Sequence, residues 1–143
     1  MISFKSNTMS SASAVIPRLH HLKPVNLVAL NPQDGARYGV SHGDTVRIIT
    51  PGGHAQAQVS LLNGVMPGVI AIEHGYGHKE MGAAQHTLDG EPMAFDEKIK
   101  SGININDLGF ADPTRQVANT WLDWVSGASV RQGLPARIER VQL

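Results

Sequence analysis

Cysteine is absent from the 143 residues. That excludes disulfides, thiolate-bound zinc, iron–sulfur ligation and cysteine nucleophiles from anything this chain does by itself. Charge is also scarce: charged residues make up 17% of the sequence, against roughly 25% in an ordinary soluble domain. The 12 Lys and Arg balance the 12 Asp and Glu, so the formal net charge is zero. Nothing supplies the basic face that nucleic acid or an anionic membrane surface requires. No apolar run approaches the roughly 18 residues of a membrane span. The N-terminal stretch lacks the long apolar segment of a secretory signal. Aromatics amount to only 5%, so the core must come from aliphatic side chains.

What fills the deficit is small and turn-forming, with 15 Gly and 8 Pro. Both are costly inside helices and natural in tight turns, a composition that favours many short strands. Length and the absence of repeats predict one domain over residues 1–143. Residues 1–24 are Ser-rich and, read without context, form a surface arm or linker that opens on a strand-like Ile2-Ser3-Phe4. So abrupt an opening is expected of a piece of a longer chain. Asn26 to Leu30 is a short apolar strand. Asn31-Pro32-Gln33-Asp34 then reads as N-cap, first helical residue and acidic first turn of a helix of about two turns, closed by Gly39. Asp44, behind Gly43, caps a turn. Thr45–Thr50 and His54–Leu62 alternate as paired strands around Pro51-Gly52-Gly53. Asn63-Gly64 turns the chain into a further strand over Val69–Ile72.

Beyond His74 the pattern is less regular. A short helix is expected near Asp96–Lys100, and Gly102–Leu108 alternates like a strand entering a turn. Asp112-Pro113 repeats the cap-plus-proline signal. Val117, Trp121, Trp124 and Val125 follow at helical spacing, which suits a helix packed on the sheet. Residues 136–141 predict a closing strand.

The run Leu30-Asn31-Pro32-Gln33-Asp34-Gly35-Ala36, followed by Gly39-Val40, Gly43-Asp44-Thr45-Val46 and Pro67-Gly68-Val69, carries a more specific signal. It resembles the C-terminal molybdopterin-dinucleotide-binding domain of the dimethyl sulfoxide reductase family of molybdenum and tungsten enzymes. The departure is Gly35, which delays Ala36 by one place. The resemblance spans nearly the whole chain and implies a mainly β fold, a six-stranded double-psi β-barrel with short peripheral helices. Lys5, Ser6, Asn7 and Ser10 are similar to the family's polar entry loop. His74-Gly75-Tyr76-Gly77-His78 is similar to a loop of members that reduce sulfur or arsenic oxyanions. Asn104 and Asn106, ahead of Asp112-Pro113, are similar to a segment whose Asn meets a pterin. The stretches at Lys79–Ala83 and Arg131–Pro135 look most like tetrathionate reductases, with thiosulfate, polysulfide and arsenate reductases as close competitors.

The resemblance implies molybdopterin guanine dinucleotide, two per molybdenum, held partly by these residues and by Arg131. It implies no catalytic residue and no metal ligand in this chain, which alone is expected to be inactive. A 4Fe-4S cluster would lie elsewhere in the full chain. The implied partners are the remainder of the catalytic subunit, an iron–sulfur electron-transfer subunit, and a membrane anchor subunit. The implied location is the periplasmic face of the cytoplasmic membrane.

The residues themselves allow both this reading and plainer ones. Asn amides donate and accept at once, matching a pterin or guanine edge, and Lys5 can face a phosphate. Gly75 and Gly77 permit close backbone approach. Equally, Asn104 and Asn106 are ordinary turn residues. His74 and His78 have the i, i+4 spacing of helical zinc sites, but two intervening glycines argue against a helix. Ser11, Ser13 and Ser41 fit no triad. Self-processing pyruvoyl enzymes of this fold need a Gly-Ser bond, and none of the 15 glycines precedes Ser. A barrel acting as a protein-binding module is the alternative of a different class. It would give Lys5, Asn7, His74 and Asn106 no reason to converge.

Overall fold

Alternating side chains build the central hairpin. Val46, Ile48 and Thr50 turn inward along Thr45–Thr50, and Gly53–Leu61 answers with half-buried Ala55 and Ala57 and buried Val59. The computed structural model describes residues 1–10, 13, 16–79, 87–92, 97–109, 125–128 and 132–141. Its strands are β1 (Ile2–Phe4), β2 (Val28–Leu30), β3 (Thr45–Thr50), β4 (Gly53–Leu61), β5 (Ala71–Glu73), β6 (Thr87–Leu88), β7 (Glu91–Pro92) and β8 (Arg137–Arg140). Helices α1 (Pro17–Leu22) and α2 (Pro32–Tyr38) and two 3₁₀ turns, Glu97–Lys100 and Ile105–Leu108, complete it. The architecture is mainly β with few, short helices.

Six strands form one mixed sheet in the order β1-β5-β2-β4-β3-β8. β1 with β5 and β2 with β4 are parallel; the other contacts are antiparallel. One face carries the core, where Val28, Leu30, Val46, Ile48, Val59 and Ile72 pack with Ile103, Ile105 and Leu108. Each such side chain removed from water contributes about 1.5–3 kcal/mol. Among the described residues no ladder joins the edges β1 and β8, and no closed barrel is found. The segment before β8 comes near β1. Ile2 bridges Gln132, and the Gln132 side chain donates to the Ser3 carbonyl at 2.8 Å. Pro135, lacking an N–H, interrupts any continuous ladder there.

Helix α2 forms as its sequence predicts. The Asn31 side chain accepts from the Gln33 amide at 2.9 Å, and Gly39 closes the helix in the left-handed conformation. Asp44 caps its turn, its carboxylate accepting from the Ser41 amide at 2.9 Å. Three expectations are corrected. The N-terminal arm is not merely a surface strap, because α1 and Met9, at 1% exposure, pack into the fold. Residues 105–108 are a 3₁₀ turn rather than a strand. Asn104 caps it, and Ile105 and Leu108 share a buried face at a spacing of three, a pattern that the Ile103/Ile105 alternation masked. The region after His74 contains the small hairpin β6–β7, turned by Asp89 and Gly90, both at positive φ. The helix expected after Asp112-Pro113, with Val117, Trp121 and Trp124, lies outside the described residues.

Asn31 also donates to the Val65 carbonyl at 2.7 Å, tying α2 to the loop ahead of β5. Asn31→Ala is expected to lower stability by about 1–2 kcal/mol, read as a shift of the urea midpoint at unchanged slope.

Candidate functional site

β1 and β5 run parallel with Phe4 opposite Glu73, so the segments leaving them emerge at the same end of the sheet. That end is where open sheets with parallel strands commonly take ligands. Lys5–Ser10 leaves β1 and His74–Lys79 leaves β5. They start side by side, with the His74 amide donating to the Phe4 carbonyl at 3.1 Å. A third segment, Ser101–Leu108, joins them. The Gly77 amide donates to the Ser101 carbonyl at 2.8 Å, and Lys79 faces Asp107 at 3.8 Å.

Two glycines set these distances. A Cβ on Gly75 would stand 2.8 Å from the Ser10 carbonyl carbon, and one on Gly77 would stand 2.4 Å from the Asn104 nitrogen. The sequence reading put them against a ligand; in the described residues what approaches them is this chain's own backbone. Around them Lys5, Asn7 and Asn106 are exposed, and Ser6, Ser10, His74, His78 and Asn104 are half-buried. The Ser6 hydroxyl accepts from the Met9 amide at 3.1 Å, and the Ser10 amide donates to the Ser13 hydroxyl at 2.7 Å, which shapes the entry loop into turns. His78 Nε2 lies 3.2 Å from the Gly75 carbonyl and donates to it. The Asn104 side chain accepts from the Asn106 amide at 3.0 Å, presenting Asn106 at the rim. Arg131 lies outside the described residues.

Tyr76 is turned the other way. At 1% exposure it sits beneath the loop, with its hydroxyl donating to the Lys23 carbonyl at 3.1 Å and its ring edge-on to His20. Burial, and then the Glu73 carboxylate, push its ionisation up to about 12. Sequence reasoning missed the layer around it. Glu73 is 1% exposed and paired with Lys23, and Asn26 is 2% exposed. The Asn26 amide donates to the carbonyls of Glu73 at 2.7 Å and Ile103 at 3.0 Å, and its oxygen accepts from the Ile103 amide at 2.8 Å. A polar residue heading an apolar run, and another closing one, were the available signals.

Residues 3–121 match the family described as the Molydopterin dinucleotide binding domain. The chain belongs to that family. It is 79% identical over 141 residues to one subunit of the tetrathionate reductase of Salmonella typhimurium, covering 99% of this chain and 14% of that protein. It is 31% identical to one subunit of the selenate reductase of Mesobacillus selenatarsenatis, covering 84% and 13%. With the arsenate respiratory reductase molybdopterin-containing subunit of Chrysiogenes arsenatis the identity is 29%, covering 76% and 11%. The chain thus spans about a seventh of the relative it most resembles among these three.

The donor set fits the family's ligand. One lysine suits a phosphate, several amides and hydroxyls suit heterocycle edges, and the loop amides lie close by. Among the described residues no group of three His, Asp or Glu is placed to hold a metal.

Gly77 and Gly68 separate close packing from backbone strain, since both have positive φ but nothing lies within 4 Å of a Cβ at Gly68. Gly68→Ala is expected to cost about 1–2 kcal/mol, the left-handed penalty alone, and Gly77→Ala clearly more, by denaturant unfolding. For Tyr76, the unfolded phenol ionises near 10 and the folded one near 12. Stability is therefore intact below pH 10 and falls as pH rises from 10 to 12. Tyr76→Phe is expected to remove that part of the alkaline loss, seen as a flatter dependence of the unfolding midpoint on pH.

Proposed function

We propose that residues 1–143 form the single cofactor-binding domain of a longer molybdenum-dependent catalytic subunit that reduces tetrathionate in anaerobic respiration. The observation that carries this is the meeting of three polar loops at one end of the β1–β5 pair, in a chain 79% identical over 99% of its length to a tetrathionate reductase subunit. In this reading the mixed sheet is a double-psi barrel, which the two parallel pairs and the β1–Gln132 contact support.

The domain's own work is binding and orientation. Lys5 meets a phosphate. Asn7, Ser6 and Ser10 meet the polar edge of the dinucleotide, and Asn104 presents Asn106 to a pterin. His74 and His78 border the ligand, Gly75 and Gly77 let the loop backbone lie close to it, and Arg131 is a further contact. Together they exclude water and fix hydrogen bonds to the ligand. When bound, the molybdenum held by two guanine dinucleotide pterins supplies the two-electron exchange that cleaves a sulfur–sulfur bond. A 4Fe-4S cluster in another part of the subunit would supply the electrons. A membrane anchor and an iron–sulfur subunit complete the enzyme at the periplasmic face. No helix of the described residues is long and apolar enough to cross a membrane.

Relatives named for selenate and arsenate, at 31% and 29% identity, make reduction of another oxyanion the second reading. The purified catalytic subunit is expected to turn over tetrathionate faster than thiosulfate, polysulfide, selenate or arsenate. Asn106→Ala in that subunit is expected to lower pterin content and rate together. Unchanged content and rate would remove Asn106 from the site.

A further inference from the structure

We infer that Asn26, which no motif singles out, is the positioning residue that aligns the two cofactor-facing loops; the inference rests on the proposed cofactor-binding role of those loops. An Asn side chain offers two donors and an acceptor oxygen with two lone pairs. Here both donors and the oxygen are engaged, at 2% exposure, entirely with backbone. Its partners are telling. Glu73 is the residue before His74, and Ile103 is the residue before Asn104. Donating to the Ile103 carbonyl while accepting from the Ile103 amide, the side chain does for this segment what a neighbouring strand would do.

No ladder provides that service. Residues 101–104 belong to no strand, and β5 ends at Glu73. Where the two loops begin, at Glu73 and Ile103, their separation is therefore set by this amide group, and the Gly77–Ser101 backbone hydrogen bond joins them again further out. The fit is close, since a Cβ on Gly102 would come within 2.5 Å of the Asn26 oxygen. An apolar residue of similar size would fill the space yet leave two carbonyls and an amide buried without partners. They would turn toward water, and the loops would move with them while the sheet stayed.

The test uses the complete catalytic subunit. Asn26→Leu is compared with Val46→Ala, a fully buried core position on β3, at matched loss of melting temperature. Pterin per subunit is read from the fluorescence of its oxidised form, and amide exchange is followed by mass spectrometry. The expected result for Asn26→Leu is about tenfold lower pterin retention. Exchange should accelerate over 74–79 and 103–108 and stay unchanged in β3–β4, while Val46→Ala keeps its pterin. Should Asn26→Leu not fold, Asn26→Ser carries the same comparison. Equal pterin retention in the Asn26 and Val46 variants at matched stability would overturn the inference. Wild-type enzyme purified without pterin would instead overturn the cofactor reading, and the exchange pattern would then decide the role of Asn26.

Discussion

The three hydrogen bonds of one buried amide, that of Asn26, join pieces of chain that no β-ladder connects. Burying an unpaired amide costs roughly 1–3 kcal/mol by protein mutational measures, so the side chain is stable there only with its partners in place. That makes the arrangement mutual. Glu73 and Ile103 keep their backbone groups satisfied because Asn26 reaches them, and Asn26 tolerates burial because they do. Gly77 and Gly102 belong to the same constraint, since a methyl group at either would collide with this junction.

A second polar layer lies directly beneath. Lys23, just after α1, pairs with Glu73 through its side chain and accepts the Tyr76 hydroxyl at its carbonyl. One residue thereby holds both ends of the turn between β5 and the His74–His78 loop. An ion pair with one partner buried and the other half-exposed adds little net stability, because desolvation of the carboxylate offsets most of the attraction. Its physical consequence is positional: breaking either partner leaves a charge or a hydroxyl without compensation, so the loop has few alternatives. The His20 ring packs edge-on against Tyr76, with centroids 5.9 Å apart.

Much of the scaffold was legible in the sequence because its signals are local. The Asn31 cap, the Gly39 stop and the alternation through Val46, Ile48 and Val59 each declare themselves within a few residues. The parts that were not legible depend on distant neighbours. The pairing of β1 with β5 links positions 2–4 to 71–73, and nothing in either tripeptide announces it. Ile103 and Ile105 imitate a strand because both point into the core, although the backbone between them enters a 3₁₀ turn. Polar residues chosen for the site by resemblance divide by burial: Asn7 and Asn106 reach the surface, whereas Tyr76 faces inward. Asn26 looked like the first residue of a strand, and only the packed structure gives it partners 47 and 77 positions away.

This separation in sequence has a consequence for how the site behaves. Its loops lie near residues 5–10, 74–79 and 102–107, so no contiguous stretch can preform it, and long loop closures precede every contact that defines it. The β3–β4 hairpin, by contrast, closes through Pro51-Gly52 and pairs six residues in register. Local opening should therefore be easier at the loop cluster than in the hairpin, because the cluster rests on isolated backbone hydrogen bonds, a few side-chain ones and one half-exposed Lys79–Asp107 pair. On the proposed reading, a surface that binds a large, polar ligand benefits from that division. The ladder keeps the strand ends in place, the Asn26 junction fixes where the loops begin, and the amide side chains of Asn7 and Asn106 at the rim stay exposed.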